Sequence, residues 1–314
     1  MTASTVAGGP VLAPPPGELL AKVATISDLH IGEPGFGLRH GVREPRGTSP
    51  AYAVRCAAAA VREAIEWGAS LIVVKGDLTW SSRVLQWERT ATVLAASSVP
   101  VVVTLGNHDT STHGVDGRPL LEAAGLAVVG DADAMHVDMP GLRLIALHTP
   151  GVGDESGSIG AALRSKAFAL AAEGRADGRG VLVAMHHYPD RFPQATRYPH
   201  GIAFEQADPF LAGLPAGTLV TCGHTHRNRR YVRHGVTVTE VGSTKDFPGT
   251  WAGYAVHEGG IRQVVRRIAD PDVLAWTDRT AAVLGGLYGW WTPGLLRWRC
   301  FSMAWPDKNA FWRQ

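Results

Sequence analysis

Five apolar runs in this sequence end on side chains that bind metals or move protons. Ile26-Ser27 leads into Asp28-Leu29-His30, and Val73-Val74-Lys75 into Gly76-Asp77. Thr104-Leu105 leads into Gly106-Asn107-His108-Asp109, Ala184-Met185 into His186-His187, and Thr221-Cys222 into Gly223-His224-Thr225-His226. In open α/β sheets, ligands gather beyond the carboxyl ends of the strands. Asp28, His30, Asp77, Asn107, His186, His224 and His226 are therefore expected on one rim. Alternate residues of an extended segment share a face, so Asp28/His30 and His224/His226 are each expected to converge. Seven groups exceed what one ion needs. Two adjacent ions sharing a bridging carboxylate would use them all, and a hydroxide could complete the bridge. Glycine before Asp77, Asn107 and His224 lets the backbone turn without Cβ crowding.

The elements that must carry these groups follow from the apolar pattern. Residues 23–27 read as a strand, and a Gly/Pro/Arg loop fills 32–47. Ser49-Pro50 reads as a cap and first helical position for an Ala-rich helix over 51–67, stopped by Gly68. Leu71-Ile72-Val73-Val74 has the fully apolar character of a buried parallel strand. A second helix is expected over 83–97 and a strand over 101–105. That β-α-β-α-β order implies right-handed crossovers around a mainly parallel sheet. Strands are expected over 126–129, 142–148, 181–185 and 218–221, with a helix over 158–173. Residues 231–241 alternate like one strand, and 252–257 with 261–268 form a hairpin about Gly259-Gly260.

Composition narrows the classes. The chain has 314 residues, 45% hydrophobic and 18% charged, which is globular and suits one large α/β domain or two modest ones. A net charge of +2 gives no strong signal for a nucleic-acid partner. The three cysteines, Cys56, Cys222 and Cys300, form no CxxC pair, which excludes a disulfide framework and a thiolate zinc site. Any metal is then held by imidazole, carboxylate and amide, as suits Mn, Fe or Zn. No leader pattern or spanning helix is read, and the expected location is cytoplasmic.

The ordered set Asp-x-His, Gly-Asp, Gly-Asn-His-Asp, a strand-end His and Gly-His-x-His resembles the calcineurin-like metallophosphoesterases across residues 20–268. The short Asp-Leu-His and His-His blocks look most like the bacterial cyclic-nucleotide and glycerophosphodiester phosphodiesterases. The resemblance implies an α/β fold, a four-layer α/β/β/α sandwich of two mixed sheets flanked by helices. It implies two divalent or trivalent metal ions: Asp28, His30 and His226 on one, Asn107, His186 and His224 on the other, and Asp77 bridging. It implies hydrolysis of a phosphodiester or monoester of a small molecule or nucleotide by a bridging hydroxide. His108 would assist the leaving oxygen, and Asp109 would orient His108 or a nearby loop. His186 and His187 compete for one ligand place; the family's His-His-Pro-Pro block assigns the first, but Tyr188 before Pro189 departs from it. A nuclease, a protein phosphatase, or a non-catalytic scaffold of the same fold are the competing readings.

Further polar positions stand near these blocks. His148 closes a strand, His113 and Arg118 follow the Asn107 block, and Arg227, Arg229 and Arg230 follow His226. Gly242-Ser243-Thr244 resembles the turn that closes the site in relatives, and Trp80 occupies a place often small or acidic there. Residues 1–19 read as a flexible arm and 20–268 as the catalytic domain. The last stretch, 269–314, is a basic tail with six of the ten Trp. Its rings either pack on the domain or a twin subunit, or meet a membrane surface or nucleic acid.

Overall fold

A computed structural model describes residues 13–37, 41–151, 153–192 and 199–306. Residues 1–12 of the N-terminal arm and Asp307, Lys308, Phe311, Trp312 and Arg313 of the tail lie outside the described residues, as do parts of loops 32–47 and 190–200. Among the described residues, no helix is long and apolar enough to cross a membrane.

Two sheets lie at the centre. The seven-stranded sheet runs Cys300–Ala304, Gly260–Arg267, Thr250–His257, Leu19–Ile26, Leu71–Lys75, Val101–Thr104, Ala127–Val128. The six-stranded sheet runs Arg229–Arg233, Val236–Glu240, Leu219–Cys222, Gly180–Ala184, Leu142–Leu147, Ala134–Met139. Each has a parallel centre and antiparallel neighbours outside it, so both are mixed.

Period-two alternation sorts the side chains into layers. Val23, Val73 and Val102 face Leu144, Leu182 and Leu219 between the sheets. Ala24, Ile72, Val74 and Val103 face the other way, onto helices Tyr52–Glu66, Val84–Ala95 and Pro271–Thr280. Val181, Val183 and Val220 likewise meet helices Ala161–Ala176 and Phe204–Gly213. The result is the four-layer α/β/β/α sandwich.

One buried cation ties the sheets together under the strand ends. Lys75 Nζ, on the first sheet, donates to Cys222 O at 2.7 Å and Thr221 Oγ1 at 3.1 Å on the second. Burial lowers its pKa to about 8.

Several elements depart from expectation for identifiable reasons. The first helix starts at Tyr52, and its first free amide is bonded by Glu44 Oε1 at 2.9 Å rather than by Ser49. The helix expected from 158 starts at Ala161, because Ser158 Oγ and Ile159 N are both held by Gln206. The alternating stretch 231–241 is a hairpin, not one strand. His234 and Gly235 take φ of +50° and +73° and turn the chain between Arg229–Arg233 and Val236–Glu240. Strand Ala134–Met139 and helix Phe204–Gly213 were not anticipated.

The segment after residue 268 adds to these layers. Cys300–Ala304 pairs with Gly260–Arg267 and forms an edge of the first sheet. Trp276 is fully buried, stacks on Tyr52 with centroids 4.8 Å apart, and donates to Lys245 O at 2.8 Å. Trp276→Ala is expected to lower unfolding stability by roughly 3–5 kcal/mol. Urea unfolding checks this; an unchanged midpoint would mean the helix is not part of the cooperative core.

Candidate metal and phosphoester site

All five polar blocks sit just past strand ends, three on the first sheet and two on the second. Backbone bonds stitch the blocks together: Asp28 N donates to Gly76 O, His30 N to Asp77 O, and Gly223 N to His186 O, at 2.9–3.0 Å. Asp28/His30 and His224/His226 do converge, but not on extended backbone. Asp28, His30, Asp77, His224 and His226 all have φ between +44° and +68°, five of the nine non-glycine residues with positive φ among the described ones. Such backbone is costly and is kept only where surroundings enforce it. Space is equally tight: a Cβ on Gly76 would lie 2.6 Å from His186 Nδ1, and one on Gly106 2.2 Å from Asp77 Oδ1.

The ring nitrogens meet in two pairs flanking Asp77. His30 Nε2 and His226 Nε2 are 3.2 Å apart, as are His186 Nε2 and His224 Nδ1. Asp77 Oδ2 lies 3.7 Å from His30 Nε2 and 3.3 Å from His186 Nε2. Asn107 Oδ1 is 3.1 Å from His186 Nε2, and Asp28 Oδ1 is 3.5 Å from His226 Nε2. Ligand atoms of Asp28, His30 and His226 lie within 4.8 Å of one another, as do those of Asp28, Asp77 and His186.

Outer partners assign the tautomers. A ring nitrogen facing a carbonyl must carry the proton, which leaves a lone pair on the other. His186 Nδ1 donates to Lys75 O at 2.8 Å, so Nε2 presents its lone pair to the site. His224 Nε2 donates to His200 O at 2.9 Å, which turns the Nδ1 lone pair inward. Asp246 Oδ2 lies 3.1 Å from His226 Nδ1, an ion-pair contact on the side of that ring away from His30. Convergent lone pairs beside carboxylates suit cations, so the donor set fits two metal ions.

The charges are strongly coupled. Burial opposes charge on His186, but the Asp77 carboxylate overrides it and holds the pKa up to about 9, so a cation bound here would take the place of the Nε2 proton. At His226, burial is likewise overridden by Asp246 and Asp28, again to about 9. His224, buried and facing His186, falls to about 3. Burial raises Asp28. At Asp77 burial also pushes upward, but His186 and His108 pull the carboxyl well below its usual range.

His108 lies at the cavity wall. Its Nδ1 donates to Trp80 O at 2.8 Å and its ring stacks on Trp80 with centroids 4.7 Å apart. Asp109 braces loops rather than the His108 ring. Its oxygens accept from Leu78 N, Thr79 N, Thr79 Oγ1 and Gly106 N at 2.8–3.0 Å. His187 Nδ1 pairs with Thr149 Oγ1 at 2.9 Å, yet His187, His186 and His224 also form a potential ligand group. His148 sits with Ala132 and Asp131, and Arg118 pairs with Asp116 and Asp131; neither lines the cavity, nor does His113. Arg227 lines it, whereas Arg229 and Arg230 line a neighbouring one. Ser243 Oγ donates to Asp28 O at 3.1 Å, so the Gly242-Ser243-Thr244 turn is pinned to the site.

Sequence reading missed Asp246, Lys245, Glu33 and Tyr288. Fully buried Lys245 pairs with Glu33 and donates to Gly35 O at 2.9 Å, anchoring a loop that walls the cavity. Tyr288 donates its hydroxyl to Asp246 Oδ1. Lys245 and Asp246 directly follow the Gly-Ser-Thr turn, but charged residues are mostly exposed, so position alone did not mark them. Asp246→Asn is expected to weaken metal binding by about 10–100-fold. Calorimetric titration of the metal-free chain checks this, and an unchanged affinity would remove Asp246 from the site.

The sequence model of the calcineurin-like phosphoesterase family matches residues 21–228, most of the chain and all five blocks. No curated protein matches the sequence. Among solved structures, a dimetal phosphatase from Danio rerio is similar with a TM-score of 0.63 at 15% identity, covering 80% of this chain and 98% of that one. A purple acid phosphatase from yellow lupin seeds has a TM-score of 0.53 at 13% identity, covering 82% and 53%. The anchor in the inner membrane complex of Plasmodium has a TM-score of 0.53 at 13% identity, covering 82% and 87%. These likenesses establish the shared fold. The family match, resting on the same blocks that the two sheets bring together, makes this chain a member of the calcineurin-like phosphoesterase family and a phosphoester hydrolase.

Proposed function

We propose that the protein hydrolyses a small-molecule or nucleotide phosphoester, diester or monoester, at a dinuclear metal centre. Asp28, His30 and His226 hold one ion, Asn107, His186 and His224 the other, and Asp77 serves both. The observation that carries this reading is the Asp77 carboxylate, whose Oδ2 faces His30 on one side and His186 on the other. Bound ions of this kind supply a water nucleophile active near neutral pH and neutralise charge on the phosphoryl oxygens.

The chain's own groups do the rest. Asp77 Oδ1 accepts from His108 N at 3.0 Å, which holds His108 in a fixed relation to the ligand set. With Nδ1 committed to Trp80 O, His108 gains and loses its proton at Nε2, and from there it protonates the departing oxygen. The cavity measures about 350 Å³, and Phe36, Val283, Leu284 and Trp291 give it an apolar rim. That volume suits a small ester with an apolar or planar leaving group. The near-neutral net charge argues against a duplex nucleic acid. Three cysteines without disulfides fit a reducing, cytoplasmic setting.

Metal analysis with a panel of phosphomonoesters, phosphodiesters and cyclic nucleotides tests the reading. Two ions per chain are expected. Asp77→Ala should lose metal and turnover of bis(p-nitrophenyl) phosphate together. His108→Ala should keep both ions and lose about 10²–10⁴-fold in turnover. Near-wild-type rates in metal-loaded Asp77→Ala would overturn the dinuclear assignment.

A further inference from the structure

The C-terminal segment beside the site has two unlike faces. Inward, Tyr288 and Thr292 are buried: Tyr288 bonds to Asp246, and Thr292 O accepts Asn228 N at 2.9 Å. Outward, Leu284, Leu287, Trp290, Trp291, Leu295 and Leu296 are exposed, Trp290 by 80%. Half of the twelve exposed large apolar residues among the described ones thus fall in one short stretch. Leu284 stands out on left-handed backbone, with φ of +56°. Because the inward residues are clamped, the outward ones are held in water. A concentrated apolar patch of this kind marks a binding surface.

Its surroundings are cationic. Between Asp278 and Asp307 the chain has no acidic residue but carries Arg279, Arg297 and Arg299. Next to Trp290 opens a second cavity of about 490 Å³, walled by Trp291, Trp298, Arg191, Arg229 and Arg230. The acids in that wall, Asp190 and Glu240, are buried. Arg230 lies over the Phe301 ring, 4.5 Å from its centroid, and burial with the nearby Arg297 charge lowers its pKa, so two like charges stand close together here.

We propose that this face, residues 284–297 with Arg191, Arg229 and Arg230, docks on an anionic lipid bilayer surface. Indole and leucine side chains enter the headgroup boundary while arginines meet lipid phosphates. Val283, Leu284, Tyr288 and Trp291 also line the metal cavity, so docking turns its mouth toward the bilayer. A second copy of the chain is the less favoured occupant. A two-fold contact sets a patch against itself and would bring this arginine cluster against its own image.

Cosedimentation of the full chain with vesicles tests the proposal without relying on turnover, so it stands or falls apart from the metal assignment. Phosphatidylcholine vesicles containing phosphatidylglycerol should pellet the protein, and raised salt or pure phosphatidylcholine should pellet much less. The triple variant Leu287→Ser, Trp290→Ser, Leu296→Ser should lose binding severalfold while hydrolysing a soluble nitrophenyl ester like the parent. Arg297→Gln should weaken binding to the anionic vesicles alone. Equal pelleting with and without anionic vesicles would overturn the proposal. So would a dimer, seen by light scattering, that the triple variant dissociates.

Discussion

Two carboxylates, Asp28 and Asp77, are buried where two apolar sheets meet, and most of the surrounding structure answers that one electrostatic constraint. An isolated buried ion costs several kcal/mol even after relaxation. Asp28 is compensated by the Ser27 hydroxyl at 2.6 Å and His224 N at 3.0 Å. Asp77 is compensated by His108 N and by the imidazoles on either side. Lys75, bonded across the sheets, lies directly behind them. The glycines, the left-handed backbone at five ligand candidates, and the short turns between blocks all serve to bring compensating groups close enough. Two pairs of imidazole nitrogens also stand 3.2 Å apart, so the rings converge on the same two points beside Asp77. Convergent imidazole and carboxylate groups of this kind could hold metal ions.

How far this could be read from the sequence depended on whether the cause was local. That Asp28, His30, Asp77, Asn107, His186, His224 and His226 would converge was legible because their blocks follow apolar strands, and strand ends gather at one rim. The parallel centre of the first sheet was legible for the same reason: Leu71-Ile72-Val73-Val74 has no polar face. The backbone at the ligands was not. Alternation implied extended Asp-x-His and His-x-His pairs, whereas both members of each pair are left-handed. The turn at His234-Gly235 was hidden because alternation of side chains continues across it.

Asp246 and Tyr288 were illegible for a different reason. Their roles exist only through tertiary contact, between the turn after Val236–Glu240 and a segment some forty residues later. A motif scan weighs side chains near a block; it has no access to a carboxylate that acts on the far side of an imidazole. Asp109 shows the converse. It belongs to the Gly-Asn-His-Asp block, yet its bonds go to Leu78, Thr79 and Gly106, so its work is to fix the loops that carry Asp77 and Asn107.

The relay from Tyr288 through Asp246 to His226 also explains why the C-terminal segment cannot be treated as an appendage. Tyr288 reaches Asp246 only because the left-handed run at Leu284, Gly285 and Gly286 reverses the chain just before it. Thr292, one turn later, is fixed to Asn228, which itself bonds Gly242 of the turn closing the site. The inward positions 288 and 292 are thus held by Asp246 and Asn228. The outward residues in the same short helix inherit that placement, since positions on one helical turn cannot move independently. The inward contacts that orient His226 and the outward display of Leu287, Trp290 and Trp291 are consequences of a single backbone path.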